Sequence, residues 1–212
     1  MTLPTSGLIT VNDRGARAAT TFGSVAAVGG NMVFIKKLTA SSSANLSFVD
    51  SASSVVLDNT YKEYLFTFNN MHPATNNVRF KVNFSTNSGS TYAVTKTTTF
   101  FRAYHNEAGN DSGLVYSTGN DLAQQTDNQI LQTDIGNGND ECLAGSLTLY
   151  NPSSTTFVKH FMARTNSNNY ASYSPNDFVA GYLNTTSAIN GVQFSFDSGN
   201  IDTGDICLYG IL

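Results

Sequence analysis

With 212 residues and a formal net charge of −4, the chain suits one large all-β domain or a medium domain with an extra arm, and a chain this long buries roughly 70% of its unfolded surface without a metal or disulfide staple. Charged residues make up 12%, about half of the ~25% usual in soluble globular proteins; Ser, Thr, Asn and Gly supply the polarity, as in β-rich proteins that meet other surfaces or glycans rather than in a general cytosolic enzyme. The eleven basic residues are scattered and the stretch from Ala103 to Val158 carries acids but no Lys or Arg, which argues against binding a nucleic-acid backbone and predicts a mildly negative loop region.

Residues 1–30 differ from the rest. Leu3-Pro4-Thr5-Ser6-Gly7 reads as extended or turned, Leu8 to Val11 as a short strand, and Asp13 to Gly30 as Ala- and Gly-rich chain with little to anchor it in a core. Two readings stand: a frayed or edge-covering terminus, or an arm that orders on another subunit. No positive n-region precedes an apolar h-region, so synthesis in the cytosol without a secretory signal is expected. The most apolar early run, Phe22 to Ile35, is broken by Gly23, Gly29, Gly30 and Asn31 and is too short to span a bilayer.

From Met32 the pattern is β. Met32–Ile35 and Asn45–Val49 read as short strands separated by a turn cluster, Thr39–Ser43. The clearest signal is a hairpin from Glu63 to Ser85: Tyr64, Phe66 and Phe68 share one face, and Val78, Phe80, Val82 and Phe84 alternate with Arg79, Lys81 and Asn83. A side-chain period of two gives each arm one apolar and one wet face, which places the pair over a core with its basic residues outside. Between the arms, Asn69 to Asn77 reads as a wide turn because Pro73 and the clustered Asn oppose a continuous ladder. Thr97 to Tyr104 is strongly β-prone. His105 to Gly138 is the longest weakly patterned stretch, with Asp121–Thr126 as a candidate helical turn.

Strands resume at Leu143–Tyr150 and Phe157–Arg164, the latter with Phe157, Lys159, Phe161 and Ala163 on one side. A polar loop follows from Thr165 to Asp177, carrying Tyr170 and Tyr173. Phe178–Leu183, Val192–Phe196 and Ile206–Tyr209 complete the chain. About ten short strands at regular spacing, with no convincing long helix and no internal repeat, predict an all-β, jelly-roll-like antiparallel β-sandwich over residues 31–212, with an extended N-terminal arm over residues 1–30.

The chemistry-bearing residues do not form a reaction signature. His72, His105 and His160 lie in no zinc-ligand spacing; His160 reads as a surface residue and His72 as part of a turn. There is no nucleophile elbow or phosphate-cradling glycine loop, and no pair of carboxylates is singled out by spacing for glycoside hydrolysis. Neither a catalytic residue nor a cofactor or metal site is therefore assigned. Asp134–Glu141 is oxygen-rich with glycines, but its order departs from an EF-hand and fits a solvated turn better than a Ca²⁺ site. Tyr170 and Tyr173 are candidate glycan contacts that could stack on sugar rings, although Trp, the usual platform residue, is absent and core-edge or interface roles account for the tyrosines more readily. Cys142 and Cys207 are too few for a disulfide framework and are expected to be free. Four Asn-x-Ser/Thr sequences, at Asn45, Asn83, Asn110 and Asn184, are expected by chance in such a composition.

The opening Leu3-Pro4-Thr5-Ser6-Gly7-Leu8-Ile9-Thr10 resembles the Leu-Pro-Thr-Ser-Gly-x-Ile start common in tail and fibre-type structural proteins of tailed bacteriophages. The body is similar to virion structural proteins of phages of aquatic bacteria, through Asn69–Asn77, Tyr150–Phe157 and the end from Ser198 through Ile211. The resemblance implies a non-enzymatic particle protein, located in the virion after synthesis in the host cytoplasm. On this reading Leu3, Pro4, Ile9 and Val11 are candidate assembly contacts to other virion proteins, the body is a homo-oligomer, and host surface glycan is a candidate partner. A tail or short-fibre component is the leading expectation. A capsid decoration protein, a glycan-binding module and a glycan-degrading enzyme stand as alternatives.

Overall fold

The structure, a computed structural model, describes residues 31–212; the candidate assembly contacts Leu3, Pro4, Ile9 and Val11 and the proposed arm lie outside the described residues. Among the described residues, twelve strands pair antiparallel in two sheets. The larger has the order β1 (Met32–Ser43), β12 (Ile201–Ile211), β3 (Glu63–Pro73), β8 (Leu143–Tyr150), β9 (Lys159–Ser167), β10 (Tyr173–Leu183), β5 (Lys96–Asn106) and β6 (Ser112–Tyr116). The smaller has the order β2 (Leu46–Val49), β11 (Gly191–Phe196), β4 (Val78–Ser85) and β7 (Gln129–Ile135). The protein is an all-β antiparallel sandwich. Its strand order is compatible with a jelly roll in which one strand of the larger sheet is expanded into the meander β8–β9–β10, with β1 and β12 added beyond β3.

The core follows from the alternation along the strands. Tyr64, Phe66 and Phe68 on β3 and Val78, Phe80, Val82 and Phe84 on β4 are all buried, as expected. These two strands are not a hairpin, however. β3 lies in the larger sheet and β4 in the smaller, so the short connection Ala74–Asn77 carries the chain from one layer to the other. Their apolar faces oppose each other across the core, with the rings of Phe68 and Phe80 5.2 Å apart. Phe194 on β11 joins the layers: its ring lies 5.1 Å from Phe68, 5.4 Å from Phe66, 5.9 Å from Phe80 and 6.4 Å from Phe48. Edge-to-face and offset packing of this kind adds to the gain from burial.

Several local expectations are corrected. Thr39–Ser43 is not a turn cluster but the second half of β1, paired with β12 through Ser43 and Ile201. Asn69–Pro73 belongs to β3 and not to a wide turn. Within it the register against β8 shifts between Phe68 and Met71, and Asn70 has φ +50°. This bulge moves the next inward residue from position two to position three, which buries Met71. The neighbour on the other side, β12, yields there, its register against β3 shifting between Thr203 and Asp205. Gly204 has φ +125°, and a Cβ on it would stand 2.6 Å from the Asn70 carbonyl oxygen, so a side chain is excluded. Asp121–Thr126 forms no helical turn; Gln125 instead pairs with Lys96. Phe157 is 69% exposed and precedes β9, whereas Lys159, Phe161 and Ala163 point inward as expected.

Candidate functional site

Along β5 and β10 the inward-facing residues change character toward one end of the sandwich. Phe100 and Val179 are apolar core. Two positions further along each strand stand Arg102 and Asp177, and two further still Tyr104 and Pro175. Asp177 is completely buried. Arg102 holds it with two parallel hydrogen bonds, Nε to Oδ1 at 2.7 Å and Nη2 to Oδ2 at 2.8 Å. The same guanidinium donates to Asp134 Oδ2 at 2.9 Å and to Thr133 Oγ1 at 2.6 Å, so one cation ties β5, β10 and β7 together. Burial pushes the Asp177 carboxyl up, against the pull of Arg102. Burial also disfavours the Arg102 charge, but the hydrogen bonds and charges of Asp177 and Asp134 outweigh it and raise the guanidinium above its ordinary value.

Beyond this ion cluster lies a cleft of about 400 Å³. Tyr170 and Tyr173, the candidate glycan contacts, both line it, together with Tyr104, Asn169 and Asp111. Tyr173 is not in a loop, as its polar surroundings in sequence suggest; it opens β10, and only Asn168–Ser172 connects β9 to β10. Asn169 fixes that connection. Its Oδ1 accepts from the backbone N–H groups of Ala171 and Tyr173, both at 3.0 Å, and its own N–H donates to the Tyr173 carbonyl. The connection is held from below as well, since Tyr170 N–H donates to the Asp134 carbonyl at 3.1 Å. The rings of Tyr104 and Tyr173 meet at 5.9 Å, tilted by 61°, and Tyr173 Oη donates to Asp111 Oδ2 at 2.9 Å. That hydrogen bond raises the Tyr173 phenol above its ordinary value. Tyr104 sits over Gly113 on β6, where a Cβ would come within 3.1 Å of the ring; the glycine leaves room for the aromatic wall.

The Asp134–Glu141 segment joins the same end. Asn168 Nδ2 donates to the Asp140 carbonyl at 3.2 Å. Asp134 is committed to Arg102, and Glu141 Oε2 accepts from Gly138 N–H at 2.7 Å. Among the described residues, no three His, Cys, Asp or Glu side chains are gathered as a metal site. His72 lies on β3 rather than in a turn, with Nε2 3.1 Å from the Gly138 carbonyl oxygen. His160 is exposed on β9, as expected. Cys142 and Cys207 are free, the first half-buried and the second buried.

A second surface is the outer face of the larger sheet. The strand registers place Met162, Phe178, Phe101, Tyr182 and Ala180 outward in adjacent rows. Phe101 and Phe178 stack with centroids 4.7 Å apart and planes 4° apart, Arg164 lies over Phe178 at 5.1 Å, and Met162 is 56% exposed. Two shallow grooves of about 530 and 310 Å³ meet there, sharing Met162 and Ala180. At the edge, β6 exposes Leu114 on one face and Val115 on the other.

Fold and site together define an antiparallel β-sandwich with an aromatic, polar cleft at one end and an outer face that is charge-poor across β8, β9, β10 and β5. Compared with protein-family models, with curated proteins and with solved structures, the chain matches none.

Proposed function

We propose that this chain is a non-enzymatic structural protein of a tailed-bacteriophage virion, a tail or short-fibre component on the particle exterior that works as a homo-oligomer. The observation that carries the reading is the outer face of the larger sheet. Across β8, β9, β10 and β5 its outward rows hold Arg164 as their one formal charge, and Met162, Phe101 and Phe178 are set among Thr, Ser and Ala. Such a face gains free energy when a second apolar surface covers it, which suits a protein used in repeated, symmetric copies. The phage context rests on the Leu3–Thr10 peptide and the body stretches that resemble virion proteins. On that resemblance residues 1–30, through Leu3, Pro4, Ile9 and Val11, attach the body to other virion proteins. Two free cysteines suit assembly in a reducing host cytoplasm.

Quantifying this polypeptide against the major capsid protein in purified particles tests the proposal. A tail or fibre component is present in far fewer copies than the capsid protein. Near-equal abundance transfers the chain to the rival capsid-decoration role, and absence from the particle removes the proposal.

A further inference from the structure

We infer that the cleft at the end of β5 and β10 is a binding site for an uncharged sugar ring, with Tyr170, Tyr173 and Tyr104 as its aromatic walls and Asn169 and Asp111 as its polar contacts. The inference deepens the reading above by naming the ligand class of an exterior protein, and it rests on that reading only for the source of the sugar.

The cleft volume of about 400 Å³ is in the range of small-molecule sites and accommodates a monosaccharide or a short stretch of oligosaccharide. Its walls have the two chemistries that a pyranose presents. Aromatic faces cover the C–H face of the ring, and directional polar groups take its hydroxyls. Tyr170 is 45% exposed although the connection that carries it is pinned by the Asn169 and Asp134 hydrogen bonds, so an aromatic surface is held rigidly toward water at little further entropic cost. Asn169 is only 6% exposed. Its Oδ1 is used by two backbone N–H groups, while its Nδ2 has no acceptor among the described residues. The Nδ2 donors are not sealed in the core but open at the cleft wall, where a ligand hydroxyl takes the place of water. Asp111 gives one oxygen to the Tyr173 hydroxyl and is exposed, so its other oxygen accepts from a second hydroxyl.

Charge decides which sugars fit. Arg102 is the cation at the cleft floor, but Asp177 and Asp134 already hold it. Together with Asp111 the balance around the cleft is negative: one positive group against three acids. An anionic ligand such as a uronic acid, a sialic acid or a phosphorylated sugar meets repulsion there and finds no free guanidinium to pair with.

The test is titration of the full chain with methyl glucoside, methyl galactoside, methyl mannoside, methyl N-acetylglucosaminide and methyl glucuronide, followed by ligand-observed NMR. Expected are saturable binding of at least one neutral glycoside, weaker or no binding of the glucuronide, and about tenfold weaker binding in both Tyr170→Ala and Tyr173→Ala. Far-UV circular dichroism of the variants checks that they fold. Tyr170 is exposed and lies outside the strands, so Tyr170→Ala is the decisive variant. Absence of binding by every neutral glycoside, preference for the glucuronide, or binding unchanged in Tyr170→Ala overturns the inference. Those results leave the copy number in the particle untouched, so failure here and failure of the virion reading are told apart.

Discussion

Replacing Arg102 by Met removes the cation that joins three strands beneath the cleft, and the structure says where the cost falls. Asp177 is completely buried and loses both guanidinium hydrogen bonds, at 2.7 and 2.8 Å. Removing one partner of a buried pair typically costs about 3–5 kcal/mol, because the other charge stays desolvated and unpaired. Asp134 is different. Its side chain is 39% exposed, so water replaces what it loses and Asp134→Asn costs under about 1 kcal/mol. The sign of the pH dependence follows. Without Arg102 the folded-state pKa of Asp177 rises further above its unfolded value. The unpaired carboxyl is then tolerated while protonated and penalised as pH climbs through that raised pKa. The deficit of Arg102→Met relative to the native chain is therefore smaller near pH 4 than at pH 7. Urea unfolding followed by circular dichroism measures these differences, and Arg102→Met combined with Asp177→Leu closes a double-mutant cycle. The double variant is expected to be more stable than Arg102→Met alone, since no buried charge remains. Equal small losses for Arg102→Met and Asp134→Asn, or a deficit that grows on acidification, would refute the account.

Lys96 is buried, which lowers its ammonium to about 8 from an ordinary 10.5. Below pH 8 both states carry the proton; between 8 and 10.5 only the unfolded chain does. The native chain should therefore gain up to about 3 kcal/mol of stability over that window relative to Lys96→Met, a gain read from urea midpoints at stepped pH. Phe194→Ala empties the point where four aromatic rings meet and is expected to cost about 3–5 kcal/mol in the same assay; a loss below about 1 kcal/mol would mean that the two sheets are not joined there. Met162→Glu places a charge in the middle of the apolar outer face, at a 56% exposed position. It should leave the unfolding midpoint almost unchanged while shifting sedimentation toward the monomer, and an unaltered oligomer would move the interface elsewhere.

The fold class could be read from the chain because a period of two is a property of a single strand. Tyr64, Phe66 and Phe68 must face apolar surroundings whichever strand lies beside them. The sheet to which each strand belongs is a different matter. The buried faces of β3 and β4 are satisfied equally by pairing edge to edge or by opposing each other across a core, so alternation alone could not separate a hairpin from a crossing between layers. Local turn chemistry misled in the same way at Thr39–Ser43, where pairing with β12 overrides the preference of a Ser-rich run. The strands inside the weakly patterned stretch were hidden for opposite reasons. β6 is exposed on both faces and shows no alternation. β7 buries polar side chains, among them Gln129, whose Oε1 accepts from Thr98 Oγ1 at 2.5 Å, and Gln132, whose amide has no partner among the described residues.

The cleft shows the same division between what is local and what depends on register. Tyr170 and Tyr173 were visible as neighbours in sequence, and the Asn169 turn that fixes their relation is local too. Their third ring, Tyr104, and the acid beneath Tyr173, Asp111, lie more than fifty residues earlier, and only the pairing of β5 with β10 brings them across, through Tyr104 opposite Pro175 and Asn106 opposite Tyr173. The signal that could have drawn attention to this end of the sheet was Arg102. It is a charged residue at an inward position of the apolar run from Phe100, and no strand buries a guanidinium without an acid to receive it. Asp177, one residue before the β-prone run that begins at Phe178, is the matching anomaly. Paired anomalies of this kind mark where a sandwich core stops being apolar, and in this protein the aromatic cleft begins at that boundary.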